Sequence, residues 1–331
     1  MNTSRRKFIA KSMLTTVGLT TGLDSAGLPF ISSFSKAKTE NRKAINKDED
    51  FKISIFSKHL QWLDYAEMAS LASEIGFDGV DLTVRPNGHV LPERVKEDLP
   101  KAVEAVRKAG LEVYMITTAI TDPNDRYTED IIKTAGELGI GYYRLGWFSF
   151  DKKVSIEENL SQFKKTFAGL HALNQKYKIK GDYQNHSGTQ LGGSIWDLWL
   201  CIKDLNPEWI GCQYDIRHAT VEGAMSWPVG LQLIRPFINT LDIKDFLWEK
   251  EGEGWKLQNV PLAEGMVDFN KFFNLVKDYE ISAPISLHFE YPLGGAEHGA
   301  TEIKIGKAEI SKYMKQDLKT LRNWLKEAGL V

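Results

Sequence analysis

The chain has 331 residues, with 42 Lys and Arg against 44 Asp and Glu, for a formal net charge of -2. That balance lacks the basic excess of a nucleic-acid binder, and no run of about 18 apolar residues is present to cross a membrane. Two cysteines, Cys201 and Cys212, are too few for a disulfide framework or a four-Cys zinc site.

Residues 1–37 read as an address. Arg5, Arg6 and Lys7 precede a mildly apolar stretch carrying Leu14, Val17 and Leu19, and Ser35-Lys36-Ala37 has the small-x-small shape of a cleavage site. The run Ser4-Arg5-Arg6-Lys7-Phe8-Ile9 resembles the twin-arginine signal of exported bacterial proteins. It implies a periplasmic protein exported after folding. Residues 38–50 are polar and charged, as in a disordered lead-in.

From 51 to 331 short apolar runs alternate with amphipathic ones, the pattern of parallel βαβ units. Strands are expected at 52–57, 79–84, 111–117, 142–147, 179–186, 210–216, 240–245 and 282–291. Helices are expected at 64–75, 92–109, 128–138, 155–177, 195–205, 228–234 and 310–328. Gly76, Gly110 and Gly139 stand at helix exits, where a left-handed cap favours glycine. Eight such units predict a single-domain (β/α)8 TIM barrel. A doubly wound sheet is the alternative, but it would show a Gly-rich phosphate turn after an early strand. Residues 246–264 are too long for a tight loop and predict a small hairpin over the barrel mouth after strand seven.

Catalytic groups of such a barrel gather at the C-terminal ends of its strands. Of the seven histidines, only His171 falls inside a helix; His59, His89, His186, His218, His288 and His298 fall at or beyond strand ends. Strand alternation places Asp182, Gln184 and His186 on one face, Gln213 and Asp215 on another, then Asp242 with Lys244, and Ser286 with His288 and Glu290. Polar groups there are costly to bury unless paired or bound to a metal. Converging carboxylates, which repel one another, suit a divalent cation: oxygen and imidazole donors fit Mn, Mg, Co or Zn. A hydrogen-bonded network with Lys244 and Arg144 as counter-ions is the alternative.

Four stretches then carry a family resemblance. Tyr183-Gln184-Asn185-His186-Ser187-Gly188, Tyr214-Asp215-Ile216-Arg217-His218-Ala219, Asp242-Ile243-Lys244-Asp245 and His288-Phe289-Glu290-Tyr291 resemble, in order and spacing, the sugar phosphate isomerase/epimerase family of xylose isomerase-like TIM barrels. The resemblance implies a divalent metal on a strand-five Glu, a strand-six Asp, a strand-seven His and a strand-eight Glu, with the two Glu residues exchanging the substrate proton. Asp215 and Glu290 match, and His218 matches a substrate-contacting His. Gln184 and Asp242 depart from the pattern, so the expected metal set is Gln184, Asp215, Asp242 and Glu290.

Gln184 cannot take a proton. The expected base is therefore Glu290, with His186 or Lys244 as the partner acid. His59, Arg85, Arg144, His218 and Trp248 are expected to bind substrate, with Trp147 and Trp255 as further stacking candidates. The implied activity is isomerisation or epimerisation of a non-phosphorylated sugar or keto-sugar, since phosphorylated sugars are unexpected outside the cytoplasm. A 3-keto-glycoside lyase and a non-catalytic sugar-binding barrel are the alternatives; a DNA-repair endonuclease disagrees with the acidity. The expected partner is a small-molecule sugar, with neither nucleic acid nor stable membrane association after signal removal; an oligomer is compatible with the sequence.

Overall fold

The computed structural model describes residues 51–331. The export signal and lead-in read from the first 50 residues lie outside the described residues. Eight parallel strands close into a barrel: β1 (Ile53–Phe56), β2 (Gly79–Val84), β3 (Glu112–Thr118), β4 (Tyr142–Arg144), β5 (Lys180–Gln184), β6 (Ile210–Asp215), β7 (Ile238–Ile243) and, after a hairpin, β10 (Ile285–Leu287). β10 closes the ring between β7 and β1, with Ile285 in register with Leu241 on one side and Ile53 on the other. The expected (β/α)8 TIM barrel is the fold observed.

Helices surround the ring: α1 (Tyr65–Ile75), α2 (Val95–Lys108), α3 (Thr128–Glu137), α4 (Ile156–Tyr177), α5 (Ile195–Ile202), α6 (Ile216–Gly223), α7 (Trp227–Ile234), α8 (Phe269–Asp278) and α9 (Lys307–Glu327). α1 starts on a reciprocal cap, in which Asp64 accepts from Glu67 N and Glu67 accepts from Asp64 N. It ends at Gly76, whose φ of 105° a side chain would strain.

Two helices differ from the sequence reading. α8 was not expected, although Phe269, Phe272, Phe273 and Val276 form an apolar stripe at helical spacing and Asp268 caps it by accepting from Lys271 N at 3.0 Å. α6 starts immediately after β6, so His218 sits in a helical first turn rather than in a loop. Strands one, four, five, six and eight are also shorter than expected. β5 ends at Gln184 because His186 N turns to Gly192 O at 3.1 Å, leaving His186 in the following loop.

The hairpin expected after strand seven is present: β8 (Asp245–Glu251) pairs antiparallel with β9 (Gly254–Val260). Asp245 pins its base by accepting from Ala263, Gly265, Phe246 and Val267 main-chain N–H groups. The side chain of Asn259 on β9 reaches the barrel, accepting from Arg217 Nη2 at 2.6 Å and donating to Glu290 O at 3.4 Å.

Apolar side chains fill the layer between strands and helices. The barrel interior is polar, and its groups pair across strands. Asp81 accepts from Thr117 Oγ1 at 2.9 Å and Ser286 Oγ at 2.8 Å. Asp182 accepts from Asn239 Nδ2 at 2.8 Å.

Candidate active site

β7 lies between β6 and β10. Lys244, just past its end, therefore stands between the strands that carry Asp215 and Glu290. Its Nζ lies 3.1 Å from Asp215 Oδ2 and 3.4 Å from Glu290 Oε1. Lys58, in the turn after β1, approaches the same Glu290 oxygen at 3.4 Å. Asp215 is both the last residue of β6 and the cap of α6, accepting from His218 N at 3.0 Å. Its pairing with Lys244 is wholly buried, whereas the Glu290 side chain keeps 23 % exposure.

Gln184 bridges Arg144 and Asp215. Arg144 Nη1 donates to Gln184 Oε1 at 2.9 Å, and Gln184 Nε2 donates to Asp215 Oδ2 at 2.8 Å. A guanidinium only donates and a carboxylate only accepts, so the amide has one admissible orientation. Asp242 accepts from Gln213 Nε2 at 2.6 Å, and His288 Nε2 lies 3.5 Å from the same oxygen. Asp242 Oδ2 is buried without a partner.

The four residues expected to hold a metal thus do not form a ligand set. Gln184 turns its oxygen to a guanidinium, an ammonium stands between Asp215 and Glu290, and Asp242 answers Gln213. Among the described residues no group of three or more His, Cys, Asp or Glu is arranged to hold a metal ion.

Charge follows this geometry. Burial works to raise the Glu290 carboxyl, but Lys244 and Lys58 outweigh it and hold the group well below the usual range. Burial, then the charge of Asp215, raises Asp242 well above its ordinary value. Burial, then Lys244, pushes His186 down to about 4, and the same causes hold His218 and His288 well below their ordinary value. All three rings are neutral at pH 7, which disfavours His186 as an acid.

The rim histidines separate into three roles. His59 is spent on the main chain: its Nδ1 donates to Ala296 O at 3.2 Å and its Nε2 accepts from Phe289 N at 3.0 Å. This corrects its expected place among the substrate-binding residues. His89 ties loops through Leu60 O and Thr83, and the His298 side chain is 83 % exposed.

His186, His218 and His288 remain in the site. Arg217 Nη1 donates to His218 Nδ1 at 2.8 Å, which leaves the proton on Nε2, 3.5 Å from Asp215 Oδ2. His186 stacks on His218 with ring centroids 3.8 Å apart. Its Nδ1 donates to Ser187 O at 2.8 Å, leaving an unprotonated Nε2.

The other expected substrate contacts are placed differently. Arg144 lies in the site but is committed to Gln184, with its guanidinium 4.9 Å from the Trp147 ring centroid. The Arg85 guanidinium approaches the Phe56 ring at 5.5 Å and makes no hydrogen bond or ion pair among the described residues. Burial, then Arg144, pushes it down to about 10.

Trp248, 40 % exposed, lies on the hairpin. Antiparallel partners share a face, and Trp248 pairs with Leu257, Lys250 with Trp255 and Phe246 with Asn259. Trp248 and Trp255 therefore continue outward the face from which Asn259 reaches Glu290.

Lys58, Arg217, Gln213 and Asn259 were not among the expected site residues. Lys58 was within reach of the strand-end rule, because it follows strand one directly. Gln213 shares the strand-six face with Asp215. Asn259 had no local signal, since its role depends on how the hairpin folds back.

A model of the xylose isomerase-like TIM barrel family matches residues 69–324. A search of curated proteins found no match. Among solved structures, a xylose isomerase domain protein from Planctomyces limnophilus superposes with TM-score 0.63 at 15% identity, covering 85% of this chain and 100% of that one. The 3-keto-D-glucoside 4-epimerase of E. coli gives 0.60 at 14% identity, covering 82% and 99%. D-Psicose 3-epimerase from Clostridium cellulolyticum H10 gives 0.62 at 11% identity, covering 83% and 99%.

Proposed function

The chain belongs to the xylose isomerase-like TIM barrel family, and on that premise we propose that it is a sugar isomerase or epimerase, transferring a proton alpha to a carbonyl of a non-phosphorylated sugar or keto-sugar. One observation carries the reading. Glu290 is a partly open carboxylate held ionised at the barrel mouth, and the ammonium groups of Lys58 and Lys244 lie 3.4 Å from its Oε1.

In this reading Glu290 takes the proton next to the carbonyl. The ammonium donors stabilise the negative charge that builds on the carbonyl oxygen. The free Nε2 of His186 contacts a sugar hydroxyl as acceptor, with His218 stacked behind it, and Arg85 supplies unspent donors. The Trp248 face stacks on a sugar ring. The sugar epimerases among the superposable folds support this substrate class. The twin-arginine-like start supports export to the periplasm, where the substrate would be unphosphorylated; replacing Arg5 and Arg6 by Lys should then hold the protein in the cytoplasm.

A lyase is the second reading, favoured by Gln184. Its amide is locked between Arg144 and Asp215 and cannot return a proton to the opposite face, whereas elimination needs one base only. Incubation with free ketoses and 3-keto-glycosides in heavy water, followed by NMR, tests both readings. Deuterium at the carbon alpha to the carbonyl together with a new epimer supports the isomerase. Release of the group beta to the ketone supports the lyase. Neither outcome on any sugar, with binding retained, overturns both in favour of a sugar-binding barrel.

A further inference from the structure

We propose that the ammonium of Lys244 occupies the place of the divalent cation that the fold family implies, so that the carboxylates of Asp215 and Glu290 are held by a charge belonging to the chain itself. The position follows from the backbone. Lys244 extends from the strand between those that carry the two carboxylates, and its Nζ reaches both, at 3.1 and 3.4 Å. Its side chain is 3 % exposed, so the charge is fixed in place rather than free to swing into solvent.

The rest of the donor set agrees. A metal would need the Gln184 oxygen, but Arg144 Nη1 occupies it at 2.9 Å and the amide nitrogen faces Asp215. Turning the amide over would set Nε2 against a guanidinium and Oε1 against a carboxylate, both repulsive contacts. Asp242 gives Oδ1 to Gln213 at 2.6 Å, which leaves only its Oδ2 uncommitted, a single donor rather than a ligand set.

Charge counting points the same way. Lys58, Arg85, Arg144, Arg217 and Lys244 face Asp81, Asp215, Asp242 and Glu290. The fixed cations already match or exceed the carboxylates even if every carboxyl is ionised. A divalent ion would add two further positive charges to a low-dielectric site that has no anion left to offset them.

An ammonium also supplies what the proposed chemistry requires. It has three N–H donors in tetrahedral array. Ion pairing at 3.1 Å to Asp215 and 3.4 Å to Glu290 holds the ammonium between the two carboxylates, and a substrate oxygen entering beside Glu290 would meet one of its N–H groups. As Glu290 takes the proton, the C–H electron pair forms the carbon–carbon double bond and the carbonyl π pair moves onto oxygen, where the Lys244 N–H meets it. This catalytic role rests on the isomerase or lyase reading; exclusion of the ion does not.

The test is a titration of metal-stripped full-length protein with MnCl2, following free Mn2+ by its electron paramagnetic resonance signal. The wild type should show no site tighter than millimolar. Lys244→Ala should gain a site at least tenfold tighter. Mn2+ should raise the melting temperature of Lys244→Ala and leave that of the wild type unchanged. Lys244→Met, which keeps the apolar stem, replaces Lys244→Ala if the smaller variant does not fold.

A stoichiometric micromolar Mn2+ site in the wild type overturns the proposal. So does equal, weak binding in wild type and variant, because the lysine would then not be what excludes the ion. Absence of sugar turnover would defeat the proposed function while leaving this titration fully readable.

Discussion

Arg144 Nη1 donates to Gln184 Oε1 at 2.9 Å, and this bond decides which end of the amide faces Asp215. Gln184 is thereby a connector between a buried cation and a buried anion. Gln184→Leu removes both partners at once and leaves charged groups unsatisfied. The expected cost is roughly 2–5 kcal/mol in denaturant unfolding. Gln184→Glu keeps the Arg144 bond but sets an oxygen in place of the donor to Asp215, a repulsive contact, so it should be destabilising as well. A loss below about 1 kcal/mol in the leucine variant would show that the bridge is not formed in solution.

The hairpin hangs on few side-chain bonds. Arg217 Nη2 donates to Asn259 Oδ1 at 2.6 Å, and Asn259 Nδ2 donates to Glu290 O at 3.4 Å. Asn259→Ala cuts both without touching the barrel ladder. Hydrogen exchange should quicken across residues 245–260 and stay unchanged in β1 through β7, because local opening costs less than global unfolding. Equal exchange in the hairpin would place its stability in the Asp245 anchor instead.

The closed ring was legible because each barrel unit repeats the same signals: a short apolar run, a polar turn, an amphipathic helix and often a glycine exit. The site was legible where a polar residue stands at or shortly past a strand end, as for Asp215, Lys244 and Glu290. What a side chain bonds to was not legible. His59 and His186 both follow strand ends, yet the first is spent on Ala296 O and Phe289 N while the second keeps a free Nε2. That difference arises from loops far apart in sequence. Clustered carboxylates alone suggested a cation from solution. The cations of Lys244, Arg144 and Lys58 come from three other strand ends, and their convergence is a property of the closed barrel. α8 was missed for another reason: its stripe was present in the sequence but lay between the hairpin and a strand expected to be longer.

Asp317 provides a pH dependence with a definite sign. It accepts from Tyr291 OH at 2.9 Å and Leu262 N at 3.3 Å, and burial pushes it up to about 7. Between pH 4 and 7 the unfolded chain ionises this group while the folded chain keeps its proton. Unfolding then releases a proton, so this contribution to stability is full below about pH 4 and is lost as pH rises through about 7. Asp317→Asn can still serve both partners and removes the titration. The variant should therefore gain in melting temperature relative to wild type as pH rises from 4.5 to 7.5. Parallel profiles for the two chains would refute the assignment.

Trp248 tests the substrate face without risk to the fold. It is 40 % exposed, so Trp248→Ala should change stability by no more than about 0.5 kcal/mol. Stacking of a sugar on an indole is worth about 0.5–1.5 kcal/mol by analogy with aromatic pairs, which corresponds to a KM raised roughly two- to thirteenfold. The kcat should stay constant, because the hairpin face does not reach the reacting carbon. A fall in kcat at constant KM would place Trp248 with the reacting groups instead.

Glu290→Gln isolates the proposed base. The amide keeps the shape and can still accept through its oxygen from Lys244 and Lys58, but it cannot hold a proton taken from carbon. Lys244 retains Asp215 as its second partner at 3.1 Å, so the variant should fold. Deuterium incorporation into a responsive ketose should fall roughly 10^2–10^4-fold, the usual contribution of a positioned general base. Sugar affinity should remain near that of the wild type, since the histidines and the Trp248 face are untouched. A loss smaller than about tenfold would leave the free Nε2 of His186 as the next accessible lone pair in the mouth. His186→Gln should then show the large loss that Glu290→Gln did not.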